Sequence, residues 1–364
     1  MKPTRIAHVF DDPGPFATVY AEVSREPEDG DFVAELQARS ARDELTAQGA
    51  PQAVADLVYE HMAASTHRAA PVSRFLVATE RGVLVDEVIG RHRPQPQHDW
   101  DPLPDLTGFV EDQNFAVPFV LALVDHEGGD VRTYGVEGPE AVAEDSVTRE
   151  SPFEHKSRGG GYAHMNRQRS SEVEWFRNAQ EVARAVDRQV QAGPELVILA
   201  GDVHSRRQVE EELGKIQATV VQLDHGGRQS DGGEEALEAA VVEVLRGQAV
   251  TANLHQLQLL RRRLEQGNAA TTGGTEVAEA LVRGQVDRLF VNPTAADGHE
   301  LTVSDVPGLS LGAVVPSGPV RADRALVAAA CLTDAELVVE RALTIGDAPV
   351  AALLRWDQEA EGAS

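Results

Sequence analysis

Apolar positions along this chain follow two rhythms, and their alternation predicts a mixed α/β architecture. Phe16–Val23 (FATVYAEV) alternates as a strand does. The stretches DFVAELQARSARDEL and PQAVADLVYEHMAAS repeat their apolar residues every three to four positions, as helices do, and Pro51 stands where the second would start. Ser73–Ile89 holds two β-rich runs around Glu80–Gly82 and reads as a hairpin. RHRPQPQHDWDPLPDL carries four prolines and reads as an irregular connector or an edge-covering loop.

From Asn114 the pattern changes. VPFVLALVD is a continuous apolar run of the kind a buried strand needs, and VRTYGV pairs back on it across HEGGD. Farther on, Val173, Phe176, Ala179, Val182, Val186 and Val190 share one helical face. Ser171 and Glu174 are spaced as a capping box at its start, and Gly193-Pro194 ends it. LVILAG and TVVQLD read as strands, with SRRQVEEEL between them and EEALEAAVVEVLRG after them as helices. The last stretch predicts helices at LHQLQLLRRRLEQG, AEALVRGQ and RADRALVAAACL, and strands at VDRLFVN and VAALLRW. The expected fold class is α/β in three small domains, 1–112, 113–247 and 248–364. The middle one is a mixed sheet with packed helices and the last an α/β sandwich.

Charge sharpens this picture at one place. The 364 residues carry 59 Asp+Glu against 33 Lys+Arg, a formal charge of −26, which opposes loose binding to nucleic acid. Between Lys156 and Arg169, however, stand Lys156, Arg158, Arg167 and Arg169 and no acidic residue, with Gly159, Gly160 and Gly161 in the middle. This run has neither the G-x-G-x-x-G spacing of a dinucleotide loop nor the Gly-Lys-Ser/Thr of a P-loop. Two readings remain: a solvated loop, or a basic finger directed at RNA. In the second, the arginines contact phosphate, the glycines permit close approach, and Tyr162 stacks on a base, with His164 as a further contact.

Other candidate chemistry is thinner. Asp125-His126, Asp202-Val203-His204 and Asp224-His225 stand at the ends of predicted strands, and AGDVHS resembles a fragment of metallophosphoesterases. The D-x-H and G-N-H-D stretches that complete that pattern are absent, and polar residues at strand ends commonly cap and turn the chain. The expectation is no bound metal and no cofactor. Arg261-Arg262-Arg263 lies in a predicted helix, as a solvated face or a second RNA contact. One cysteine, Cys331, excludes an internal disulfide and a cysteine-rich metal site. No apolar run has membrane-span or signal-peptide length, so a cytoplasmic protein without a membrane partner is expected.

At the basic run the chain resembles the archaeo-eukaryotic class-1 release factors and their relative Pelota, and most closely their bacterial, Balon-like branch. The residues that carry the resemblance are Arg158-Gly159-Gly160, the basic stretch through Arg169, EVEWFRNAQEVARAV, ELVILAGD, VHSRRQVEEEL and the closing DAPVAALLRW. The resemblance covers the chain from about Asn114 onward. It implies a ribosome-binding translation factor whose partners are the 70S ribosome, through rRNA of the A site, and elongation factor Tu, in a stress-linked hibernation role. The loop of release factors reads Gly-Gly-Gln; here Gly161 or Tyr162 stands at the glutamine position, and Gln168 lies too far along. Docking without peptide release is therefore the expectation, with glutamine-free peptidyl-tRNA hydrolysis and a metal-dependent phosphoesterase as alternatives.

Overall fold

The computed structural model describes residues 5–25, 30–66, 71–90, 92–93, 95–114, 117–135, 141–148, 162–224, 234–341 and 348–356, with backbone only at 30–31, 148, 162–175 and 234–235. It has the mixed α/β character the sequence predicts. The chain forms two compact units: residues 1–114 join 253–364 in the first, and 115–252 make the second. The first and last segments of the chain thus share one unit.

The reason lies in β1 (Phe16–Glu22). It is flanked by β2 (Ser73–Thr79) and β4 (Gln97–Asp101), both antiparallel, in a sheet of order β3-β2-β1-β4 with β3 at Gly82–Ile89. The alternation read from FATVYAEV does not separate core from solvent, because Phe16 to Ala21 are all buried. Ala17, Val19 and Ala21 pack under α1 (Gly30–Ala47) and α2 (Gln52–Ala63). Phe16 and Tyr20 point the other way, into a core shared with Leu326, Leu289 and Val339 of the C-terminal segment. A strand buried on both faces needs a second layer, and the chain's far end supplies it.

That far end is a sheet of order β10-β15-β11-β14. Its strands are Ala270–Thr272, Val350–Leu354, Val286–Val291 and Glu336–Val339, and β11 and β14 are parallel. Helices α7 (Gly274–Val282) and α8 (Ala322–Leu332) cover one face, and Leu260 of α6 (Glu234–Gln266) meets Phe290 and Leu353 on the other. Helix α8 is buried from Ala322 to Cys331. Its alanines let neighbours approach closely, and burial pushes the Cys331 thiol up to about 12.

Inside α8 sits Arg324, 5% exposed. Its Nη2 donates to Asp99 Oδ1 at 3.2 Å and lies 3.5 Å from Asp105 Oδ2, and its Nη1 lies 3.3 Å from Asp101 Oδ2. Burial works against the charge, but Asp105, Asp99 and Asp101 outweigh it and raise the guanidinium's pKa. A second tie joins the same two segments: Arg341 donates to both oxygens of Glu111 at 2.8 and 2.9 Å. The stretch expected as an irregular connector thus contains an edge strand, β4. Its four prolines fall outside 97–101, so none removes a ladder donor. Helix α3 (Thr107–Gln113) follows it.

The second unit is a five-stranded sheet of order β7-β6-β5-β8-β9. The strands are Ala141–Thr148, Gly128–Tyr134, Phe119–Asp125, Leu196–Gly201 and Thr219–Gln222. β5, β8 and β9 run parallel, and β6 and β7 are antiparallel to their neighbours. The continuous apolar runs are explained by burial on both faces. Val120, Ala122 and Leu199 face α4 (Tyr162–Gln191) and α5 (Val203–Leu213), while Leu121, Leu123 and Ile198 face the first part of α6. Ala179, Val182, Val186 and Val190 pack as the helical face predicts, but Phe176 is 47% exposed. The two helices expected on either side of residue 247 are one helix, α6, because a single glycine costs a helix only about 1 kcal/mol. No helix among the described residues is long and apolar enough to cross a membrane.

Replacing Arg324 by Met leaves three neighbouring carboxylates without their buried counter-charge. The expected loss is about 3–5 kcal/mol in the stability of the first unit. Equilibrium urea unfolding followed by circular dichroism measures it, and a change below about 1 kcal/mol would contradict the role given to this arginine.

Candidate nucleic-acid interface

The basic run divides at the start of α4. Lys156, Arg158, Gly159, Gly160 and Gly161 lie outside the described residues. Tyr162, His164, Arg167 and Arg169 fall in the first turns of α4, where the backbone is helical. This corrects the loop expected to continue to Ser171, and with it the capping box: Ser171 and Glu174 are interior helix positions. The physical reason is local. Residues 162–170 contain no glycine or proline and several strong helix formers, so the helix extends back to the glycine triplet.

Helical geometry then sorts the basic positions. Positions 162 and 169 are seven residues apart and fall on nearly one line along the axis, whereas 164 and 167, three apart, share another side. The far half of α4 is firmly held. Its buried residues from Ala179 onward pack against β5, β6 and α5. Gln189 accepts from the Thr133 hydroxyl at 3.0 Å and donates to Asp145 at 3.2 Å, and Arg188 reaches the same carboxylate at 3.3 Å. Tyr162 and Ala179 are separated by about 25 Å of helix at 1.5 Å per residue. The arrangement is a rod anchored at one end with the basic positions at the other.

The Asp/His pairs are brought to one edge of the sheet, and each described carboxylate there has a structural task. Asp125 Oδ1 accepts from the backbone N–H of Glu127 at 2.7 Å and of Gly128 at 3.0 Å, closing the β5–β6 hairpin. Asp202 caps α5, accepting from the Ser205 N–H at 2.9 Å and hydroxyl at 3.0 Å. Asp224 pairs at 2.6 Å with Arg206, whose side chain is buried. His126 and His204 are on the surface, and His225 lies outside the described residues. A small cleft at this edge, between α4 and α5, is lined by Asp125, His126, Asn178, Ser205 and Gln208. Among the described residues no group of three His, Cys, Asp or Glu converges as a metal site.

Gly201 explains why this edge is so tight. Its φ is +106°, and a Cβ there would meet the Val124 carbonyl oxygen at 2.1 Å. The hydrogen bond from Asp202 N–H to that oxygen, 2.9 Å, requires the close approach. The Asp-x-x-Ser spacing of Asp202 and Ser205 was a legible capping signal, while the burial of Arg206 had no signal in its polar neighbours. In the arginine run, Arg261 and Arg262 are exposed. Arg263 donates to the carbonyls of Ala269 and Leu354 at 3.5 and 3.2 Å, tying α6 to β10 and β15.

Such a unit is a mixed α/β domain whose longest surface helix begins in a basic segment. Residues 118–267 match bacterial archaeo-eukaryotic release factor family 2. Two proteins of Mycobacterium tuberculosis, described as the uncharacterized proteins Rv2629 and MT2704, are 28% identical over 366 residues, spanning 98% of this chain and 97% of theirs. Among solved structures, Archaeoglobus fulgidus Pelota is similar at 14% identity and TM-score 0.38, over 97% of this chain and 92% of its own. A ribosome-bound archaeal Pelota is similar at 16% identity and TM-score 0.42, over 97% and 93%.

The Ser205 N–H, working against the effect of burial and helped by the Ser205 hydroxyl, holds the Asp202 carboxyl below its ordinary range. A depressed folded pKa means that the stabilisation is present above the unfolded value near pH 4 and is lost as pH falls through the folded value. Asp202→Ala should therefore cost about 1 kcal/mol at pH 7. The gap from the wild type should narrow below pH 4, as read by urea midpoints across that range; a gap independent of pH would show that the carboxylate is not the capping group.

Proposed function

We propose that this chain is a ribosome-binding translation factor of the release-factor and Pelota type that occupies the A site without releasing peptide. The observation that carries this is the basic run from Lys156 to Arg169, which lies inside the release factor family match in a chain of net charge −26. An acidic body suppresses binding to RNA in general, and a local cluster of arginines restores it at one place. Helix α4 gives that cluster reach, because its basic end and its packed end are far apart along the axis.

Peptide release needs a water held beside the ester and a group that orients it. Gly161 offers no side chain, and the phenol of Tyr162 does not mimic a primary amide. The chain therefore acts by occupancy. The Balon-like role, protection of idle ribosomes with elongation factor Tu as the accompanying GTPase in the cytoplasm, is the finer part of the proposal. It rests on the resemblance at Arg158-Gly159-Gly160 and the helix that follows.

Co-sedimentation with vacant 70S ribosomes tests the reading. The protein should pellet at low salt and dissociate as salt rises. Arg167→Ala with Arg169→Ala should weaken binding and flatten the slope of log K against log salt by about one unit per lost phosphate contact. A protein that stays in the supernatant at low salt removes the proposal.

A second assay concerns chemistry. On ribosomes carrying peptidyl-tRNA, ester hydrolysis should remain at background. His164→Ala should change binding only modestly. Release by the wild type that His164→Ala abolishes without loss of binding would make the segment an active site instead.

A further inference from the structure

Helix α6 carries a second interval of unusual charge. No Asp or Glu stands between Glu243 and Glu265, the longest such interval in the chain and longer than the one from Glu154 to Glu172 that holds the basic run. Within it stand Arg246, His255, Arg261, Arg262 and Arg263. In the part of α6 that belongs to the first unit, Leu260 is buried against Phe290 and Leu353, with Leu257, Leu259 and Leu264 packed beside it. The positions left exposed ahead of Glu265 are Leu254, His255, Gln258, Arg261 and Arg262.

Two observations select the occupant. The first is that these arginines have no carboxylate. Elsewhere in the first unit guanidinium groups are neutralised in place: Arg74 meets Asp86 at 2.6 Å, Arg321 meets Asp323 at 2.9 Å and Arg341 meets Glu111 at 2.8 Å. Among the described residues no carboxylate lies within ion-pair distance of Arg261 or Arg262, and Arg263 donates to the backbone carbonyls of Ala269 and Leu354. The second is the kind of side chain. His255, Gln258, Arg261 and Arg262 can all donate hydrogen bonds. They follow one another at three- and four-residue spacings along the exposed side, over roughly 10 Å of helix. Leu254 is the one large apolar residue exposed among residues 253–266, which is too little for an apolar protein contact or for insertion into lipid. A row of cationic donors without apolar anchors fits a polyanion whose charges repeat along a strand, and a planar guanidinium matches phosphate.

We infer that the outer face of α6 from His255 to Arg262 is a second RNA-docking surface, which takes the phosphates of a ribosomal RNA strand. The inference deepens the ribosome reading, on which it rests for the source of the RNA. The basic run and this face are two contacts of one chemistry on two units of one chain. Two modest contacts that engage together bind a large RNA far more tightly than either alone.

Fluorescence anisotropy of the full chain with a short labelled RNA duplex at low salt tests the inference, beside co-sedimentation with 70S ribosomes. The wild type should bind the duplex. Arg261→Gln with Arg262→Gln should weaken that binding by about tenfold and flatten the slope of log K against log salt by about two units, one per lost phosphate contact. Arg261→Lys with Arg262→Lys keeps the charges and should keep the slope. Both pairs should leave the thermal midpoint unchanged, since the positions are exposed. Cys331 is buried, so an iron–EDTA probe attached to Gln258→Cys labels position 258, and from there it should cut the bound strand. The inference is overturned by a wild type that does not bind the duplex, by binding that the Gln pair leaves unchanged, or by a slope that the Lys pair lowers as much. A bound protein whose position-258 probe cuts no strand overturns it as well. The two readings fail separately. A protein that binds the duplex through Arg261 and Arg262 but stays in the supernatant with ribosomes refutes only the ribosome reading. One that pellets with ribosomes and is indifferent to the Gln pair in both assays refutes only this one.

Discussion

Arg324 is the point at which two distant parts of the chain become one body. It rises from the buried helix α8 and meets Asp99, Asp101 and Asp105, all from the stretch that carries β4. A buried guanidinium without counter-charges is strongly unfavourable, and so are three crowded carboxylates without a cation. Each part therefore depends on the other. The apolar packing follows the same logic, because Phe16 and Tyr20 leave β1 on the face that only the C-terminal segment covers. Arg341 and Glu111 repeat the connection at a more exposed place.

The second unit solves a different problem. Its sheet is covered on both faces, so its parallel strands end at an edge crowded with polar residues. Asp125 and Asp202 are consumed there by backbone N–H groups, and Asp224 neutralises the buried Arg206. What resembles a metal-binding fragment in sequence is, at the described positions, the carpentry of turns and caps.

Charge and packing divide differently between the units: the basic run stands within the segment that matches the release factor family, and α1 turns its small residues inward and its large ones outward.

What the sequence alone determined was whatever depends on near neighbours. Pro51 marked a helix start, Gly193-Pro194 a helix end, and the apolar runs 117–125 and 196–201 marked strands buried on both sides. The mixed α/β class and the position of the basic run were legible for the same reason. Tertiary structure decided what depends on distant partners. Gln97–Asp101 became a strand because β1 offered it an edge, and Glu336–Val339 because β11 lay alongside. Helix α6 stayed whole across Gly247 because each of its halves has a core to pack on. The burial of Arg324 was equally beyond local reading: an arginine two residues into an alanine-rich helix looks solvated until three aspartates more than two hundred positions earlier close over it. Periodicity records which face a residue takes, while burial and pairing are set by whatever the rest of the chain brings to that face.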